Sequence, residues 1–238
     1  MSRLSTAVLR GLARRGFVLQ RHPGWRRQRL LGERGVDVVL DVGAARGGYA
    51  EELRQFGYTG RIVSFEPMAA AFADLRAAAA DDPRWTTVHS ALGSAPGVET
   101  INVASNSDSS SLLPMAEEHR SAAPHVDYVG SEQVFVARLD DVADEHLRGA
   151  SAPFLKIDTQ GFEREVLTGG AQTLDRCVGL QLELSFVPMY AGGMLADEAI
   201  SFAYDHGFRM VTFAQGFTSP AGAMLQADGV FFRPRSGD

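Results

Sequence analysis

From residue 37 onward the chain alternates short apolar runs with segments of helical period. Val38 to Val42 is apolar except for Asp41, the pattern of a strand buried on both faces. Tyr49 to Phe56 has helical spacing and meets Gly57, a residue suited to the C′ position. Arg61 to Phe65 reads as a second strand. Met68, Phe72, Leu75 and Ala79 then mark one helix face that stops before Asp81-Asp82-Pro83, and Trp85 to Ser90 reads as a third strand. Such an order predicts parallel pairing through right-handed crossovers. The rhythm resumes with a strand at Phe154 to Asp158, a helix at Phe162 to Thr168 closed by Gly169-Gly170, and a strand at Val178 to Ser185. A helix from Glu198 to His206 follows, with Asp197 as its expected N-cap and Gly207 at its end. Phe208 to Phe213 and Gly229 to Arg233 are joined by about fifteen residues without helical period, which predicts antiparallel pairing. The expected fold is α/β: a Rossmann-like, doubly wound, seven-stranded sheet whose last strand is antiparallel, in a domain spanning 36–238.

An insertion at about 94–139 breaks this alternation. Val98 to Ala104 and Gln133 to Leu139 look like strands, and between them lie the polar run SNSDSSSLL at 105–113 and a short helical piece. A long connection inside a compact domain is more often functional than filler, so this segment is a candidate substrate lid.

Composition narrows the function classes. With 238 residues, 45% of them hydrophobic, the chain can bury one large α/β core. A lone cysteine, Cys177, excludes an intramolecular disulfide framework and a Cys-rich zinc site, and its place before a strand marks it as an inert core residue. The net charge of -6 conceals an asymmetry: residues 1–35 carry nine arginines against one acid, Glu33, while the rest of the chain is strongly acidic. Lys156 is the sole lysine among 23 basic residues. Leu4, Val8, Leu9 and Leu12 have helical spacing, so the basic arm is expected to hold an amphipathic helix, packed on the domain with its arginines solvated. A peripheral contact with a membrane surface or an acidic glycolipid is the competing use of that charge. Arg10, Arg14 and Arg15 break up the apolar stretch a secretory signal needs, whereas an organellar presequence has this same composition. Nucleic acid is not expected as a partner of so acidic a body. The longest uncharged run, Met210 to Ala227, contains Gln215, Gly216, Pro220 and Gly222, so no bilayer span is expected and the protein is expected in the cytoplasm.

The stretch DVGAARGGY at 41–49 lies between the first strand and the first helix of the sheet, where a Gly-rich turn lets backbone approach a ligand. Glu66 ends the second strand, where an acid can accept hydrogen bonds from both ribose hydroxyls of a nucleoside cofactor. A dinucleotide would bring pyrophosphate to the turn, and Asp41 at its mouth would repel it. S-adenosylmethionine (SAM) brings an ammonium and a sulfonium instead, which an acid beside a helix N-terminus suits. The alternative is that Asp41 merely ties down its own loop.

An ordered series of motifs resembles the FkbM-type SAM-dependent O-methyltransferases from about residue 36 to the end. It comprises DVGAARGGY, GRIVSFEP at 60–67, HSALG at 89–93, SSSLL, VARLDD at 136–141, LKIDTQGFEREVLTGG at 155–170, LELSFVPMYAGG at 182–193 and the closing LQADGVFFR. One departure is Ala45, where the family's loop normally reads G-A-N. The resemblance implies methyl transfer from SAM to a hydroxyl, commonly on sugars of glycolipids, polysaccharides or natural products, with S-adenosylhomocysteine as product. It implies that Asp41, Gly43 and Gly47 hold the methionine part, Glu66 the ribose and Met68 the nucleoside, that Ala91 and Leu92 sit near adenine, and that Ala44, Tyr49 and Ser90 are further cofactor contacts. Substrate contacts are then expected from Ser109, Ser110, Lys156, Gln160 and Tyr190.

An alcohol nucleophile must lose its proton, to a side chain or on a metal. Asp158 and Glu183, at the carboxyl ends of the fourth and fifth strands, are the candidate catalytic pair. In one reading Asp158 is the general base and Glu183 orients the acceptor; in the other both ligate a divalent ion. Leu184 follows Glu183, which leaves the metal set short of a donor, so metal-independent base catalysis is favoured. Lys156 shares a strand face with Asp158 and is placed to steady it. His89, His119 and His125 are weaker candidates, each more often a packing residue than a catalyst. A non-catalytic SAM- or nucleotide-binding module and a nicotinamide-dependent oxidoreductase are the alternatives from other classes. A homo-oligomer is compatible with the arm packing on a partner copy.

Overall fold

The computed structural model describes residues 3–17 and 21–235. The arm forms two helices, α1 (Arg3–Ala13) and α2 (Pro23–Glu33). Then follow β1 (Val38–Val42), α3 (Gly48–Gln55), β2 (Arg61–Phe65), α4 (Ala69–Ala79) and β3 (Trp85–Val88). The insertion contributes β4 (Ala91–Leu92), β5 (Gly97–Ala104), α5 (Glu117–Ala122) and β6 (Tyr128–Ala137). The second half contains α6 (Leu139–His146), β7 (Pro153–Ile157), α7 (Glu163–Gly169), α8 (Ala171–Arg176), β8 (Gly179–Ser185), α9 (Ala196–Asp205), β9 (Arg209–Gln215) and β10 (Gln226–Phe232).

Seven strands form the main sheet in the order β3-β2-β1-β7-β8-β10-β9. The pairs from β3 to β8 are parallel, and the last strand of the chain, β10, runs antiparallel to both β8 and β9. All five residues of β1 and of β7 are buried, as central parallel strands covered on both faces must be. Val38, Leu40, Phe65, Leu155 and Leu182 pack on one face with Leu139, Val166, Leu174 and Ala199 of α6 to α9. On the other face Val39, Ile62 and Phe154 pack with Leu31 of α2, Leu53 of α3 and Leu75 of α4. The second half of the basic arm is therefore part of the domain's core. Its Arg27, expected in solvent, is only 9% exposed.

The boundaries differ from expectation in instructive places. The third strand ends at Val88, and Ala91–Leu92 peels away to pair with β6 in a second sheet of order β4-β6-β5. The run Gln133 to Leu139 is longer at its start and stops at Ala137. Leu139 instead opens α6, buried against the sheet, in a segment whose short helical pattern was not anticipated. Asp197 is not the cap of α9: the helix begins at Ala196, and Glu198 reaches back to accept the Leu195 N–H at 3.1 Å. The expected amphipathic helix is present as α1, though the side chains of residues 3–7 lie outside the described residues.

Candidate active site

The carboxyl ends of β1, β2 and β7 open into a cavity of about 470 Å³ that the insertion caps with Ile101, Ser107, Asp108, Ser110 and Leu112. The loop after β1 supplies one wall through its backbone. Gly43 and Ala44 donate their N–H groups to the Phe65 carbonyl at 3.1 and 3.0 Å, tying the loop to the end of β2. Gly43 has a φ of +76°, and a Cβ there would lie 1.8 Å from the Asp158 carbonyl oxygen, so only glycine allows the loop this close to the end of β7. Ala45 is also left-handed, with φ 46°. Asparagine tolerates that region better than alanine does, so the departure from G-A-N falls where the usual residue has a backbone reason to be present.

Among the expected cofactor residues, Glu66 has the most fully defined geometry. It is 3% exposed and lines the cavity; its Oε2 accepts the Ala45 N–H and its Oε1 the Met68 N–H, each at 2.9 Å. Each oxygen keeps a lone pair for a ribose hydroxyl. Burial pushes its carboxyl up to about 7, against the lowering effect of the Met68 and Ala45 N–H groups. Ala44, Tyr49, Met68, Ser90, Ala91 and Leu92 also line the cavity, with Phe65 and Ile101 adding apolar wall for a nucleoside.

Two expected cofactor residues lie elsewhere. Asp41 is fully buried beneath the loop, where its Oδ2 accepts the Ser64 hydroxyl at 2.9 Å and its Oδ1 meets Lys156 Nζ at 3.0 Å. It does tie down its own loop, since the same Nζ donates to the Gly43 carbonyl at 2.9 Å. Gly47 is not in the wall: left-handed at φ +96°, it starts α3 against the Trp85 ring, which a Cβ would approach to 2.8 Å. Lys156 touches the cavity, but with 4% exposure and these partners most of its side chain serves as a strut beneath the site. Burial alone would lower its pKa; the carboxylates of Asp41 and Asp158 outweigh that and raise it above the ordinary lysine value.

The acceptor end is built from side chains far apart in sequence. Asp158 lines the cavity with its side chain 31% exposed, 3.7 Å from Lys156 Nζ. Gln160, left-handed at φ 55°, inserts its amide between the two carboxylates, donating to Asp158 Oδ1 at 2.7 Å and to both Glu183 oxygens at 3.3 Å. Glu183 therefore stands behind Gln160, outside the cavity wall. Burial, then the Asp158, Glu163 and Asp228 carboxylates, push its carboxyl well above the usual range. Among the described residues no group of three or more His, Cys, Asp or Glu could hold a metal ion, and the amide occupies the space between the two acids.

Tyr190 is buried and donates to Gln160 Oε1 at 2.8 Å and to the Ser109 carbonyl at 3.2 Å. Ser111 donates to the Gln160 carbonyl at 2.6 Å. The Ser-rich segment is thus latched onto the loop after β7. Ser110 lines the cavity; Ser109 faces away and bonds Asn106. Glu163, which the sequence reading did not single out, is buried and accepts the Thr159 and Gly161 N–H groups, shaping the loop that carries Asp158 and Gln160. Its only sequence signal was its place inside the motif LKIDTQGFE. The histidines are packing residues: His89 stacks on Phe72 at 4.4 Å, and His119 is buried edge-on to Tyr190 at 5.3 Å. His125 is exposed and does not line the cavity.

A family model described as the methyltransferase FkbM domain matches residues 41–210, well over half of the chain. Among solved structures the chain is similar to the magnesium protoporphyrin IX methyltransferase of Synechocystis PCC 6803, which was solved with bound SAM. The identity is 10% and the TM-score 0.50, over 88% of this chain and 76% of that one. It is also similar to an rRNA methylase of Streptococcus thermophilus, at 11% identity and a TM-score of 0.48 over 92% and 100% of the two chains. Fibrillarin of Aeropyrum pernix, with natively bound S-adenosyl-L-methionine, matches at 12% identity and a TM-score of 0.45 over 87% and 75%. At such identities the likeness is one of fold alone. No curated protein matches the chain.

Proposed function

The chain belongs to the FkbM methyltransferase family, and from that premise we propose that it moves the methyl group of SAM to a hydroxyl oxygen on a sugar of a glycolipid, polysaccharide or glycosylated natural product. Methyl transfer from SAM rests on the family and the fold, neither of which favours a nicotinamide-dependent oxidoreductase. The hydroxyl and the sugar rest on the cavity's lining, where the Asp158 carboxylate, bonded by Gln160, shares the wall with Ser107, Ser110 and Thr159. Short hydroxyl and amide side chains suit a polyhydroxylated acceptor, and a carboxylate within reach of it can take a proton. That same carboxylate argues against a non-catalytic binding module.

SAM, when bound, supplies the electrophilic methyl group. Glu66 would hold its ribose, the loop from Gly43 to Ala45 its methionine end, and Met68, Ala91 and Leu92 its base. Asp158 takes the proton of the attacking hydroxyl at its carboxylate. Gln160 fixes the Oδ1 side of Asp158, leaving Oδ2 on the Lys156 side. Glu183 anchors Gln160 from behind, and the latched Ser-rich segment keeps water from the reacting groups. We infer that Glu183 is a positioning residue, and that the protein acts in the cytoplasm, where its cofactor is available. No helix among the described residues is long and apolar enough to cross a membrane.

The test is methyl transfer from SAM to a panel of glycosides, read by mass spectrometry with Asp158→Asn alongside. A base of this kind contributes on the order of 100- to 10,000-fold, so Asp158→Asn should lose at least the lower figure while its affinity for S-adenosylhomocysteine stays within about threefold of wild type. Methyl groups found on nitrogen or carbon, or full activity of the variant, would overturn the proposal.

A further inference from the structure

A second cavity, of about 670 Å³, lies between α2 and the outer strands β9 and β10. Arg21, Arg26 and Arg27 line it from the arm; Gln181, Thr212 and Asp228 line it from the sheet. None of these residues belongs to the wall of the cofactor cavity. One hydrogen bond links the two spaces: Tyr49, in the cofactor wall, donates its hydroxyl to Gln181 Oε1 at 3.1 Å.

Arg27 is the unusual member. It is 9% exposed, its guanidinium lies 4.3 Å above the Tyr49 ring, and its Nη2 faces Glu52 Oε1 at 3.1 Å. Its buried Nε has no hydrogen-bond partner among the described residues. Its Nε and Nη2 are both closed off from solvent, so Arg27 offers the groove its positive charge and not a free donor. Arg26 reaches across to the sheet, donating from Nη1 to Thr212 Oγ1 at 3.2 Å. Arg21 stacks on Trp25 at 4.1 Å, which holds the third guanidinium near the mouth. Three arginines and one carboxylate, Asp228, line this groove, and Glu52 pairs with Arg27. Guanidinium forks bind oxyanions through paired N–H groups, and the forks of Arg21 and Arg26 beside the charge of Arg27 suit a group that presents three oxygens better than a carboxylate that presents two.

We propose that the groove between α2 and β9–β10 is a second binding site, which takes the phosphoryl group of a phosphorylated ligand. The inference does not depend on the acceptor being a saccharide. A soluble phosphorylated compound and a phospholipid headgroup share this chemistry, and two arms of one experiment separate them.

The full chain, saturated with S-adenosylhomocysteine so that the loop after β1 is occupied, is titrated with inorganic pyrophosphate by calorimetry. It is also floated with vesicles of phosphatidylglycerol and phosphatidylcholine. The probe variant is Arg21→Ala/Arg26→Ala, whose side chains are exposed enough to spare the fold, checked by unchanged melting. The control is Arg10→Ala/Arg14→Ala/Arg15→Ala, which removes arm charge outside the groove. Pyrophosphate binding that weakens about tenfold or more in the probe variant but not in the control assigns the site to a soluble ligand. Vesicle binding lost in the probe variant but kept in the control, without pyrophosphate binding, assigns it to a headgroup. Absence of binding to both probes, or equal losses in probe and control variants, would overturn the site.

Discussion

The two ends of the cofactor cavity are built by opposite means. The SAM end is made of backbone and of residues close in sequence: the N–H groups of Gly43 and Ala44 bond Phe65, and that of Ala45 bonds Glu66. The Asp158 end is made largely of side chains converging from three distant loops, Ser111 from the insertion, Gln160 after β7 and Tyr190 after β8, with the Ser109 carbonyl as a further acceptor. A cradle of backbone is fixed as soon as its turn forms and has few ways to vary. A constellation of side chains can change one member at a time, which is where differences of acceptor among proteins of one fold are expected to arise.

This contrast can be broken experimentally. The largest effect should come from Gly43→Ala, because the new Cβ would collide with the Asp158 carbonyl and the residue would sit at positive φ. Displacing the loop by an ångström should cost on the order of 100-fold in SAM affinity, measured by calorimetry, together with a lower melting temperature. Near-wild-type affinity would show that the cradle is more pliable than its geometry implies.

Next in size is a pH effect at Glu66. Its carboxyl is pushed up to about 7, so the carboxylate proposed to accept ribose hydroxyls is lost as pH falls through that value. Affinity for S-adenosylhomocysteine should weaken about tenfold between pH 8 and pH 6, and Glu66→Gln should flatten the profile. In the unliganded protein the sign runs the other way. The raised acid favours folding below its ordinary value of 4.5, and this contribution is lost as pH rises towards 7.

The smallest effect belongs to the latch beside Asp158. Tyr190→Phe removes two hydrogen bonds that latch Gln160 and the Ser-rich segment. A fall of about fivefold in kcat/KM for the acceptor, with cofactor affinity unchanged, would sharpen the division. An equal fall in cofactor affinity would show that the two ends form one unit.

The same contrast explains what was legible in the sequence. The seven sheet strands and the antiparallel pairing of the last two follow from local period and loop length, whereas their order across the sheet does not, and Glu66 follows from its place at the end of an apolar run. Asp41 was misjudged because its partner lies 115 residues away in sequence: only the register of β1 against β7 brings Asp41 opposite Lys156. Arg27 was expected in water because a helix rich in arginine has no obvious buried face, and Tyr49 and Glu52, which hold it, belong to another helix. Gln160 and Glu183 were both noticed, but that the amide would part the two carboxylates depends on a left-handed residue whose φ no pattern announces.

Lys156 has a use beyond the site. Its Nζ meets Asp41, Gly43 and Asp158 in three directions, which suits a compact ammonium with three donors and not a planar guanidinium. In a chain whose other basic residues are all arginine, the only side-chain amine is thereby sealed inside the sheet. Amine-selective labelling of this position should report opening of the central strands at one site, and bound SAM should slow it. The protein carries its own single-site probe of how firmly the cofactor holds the fold closed.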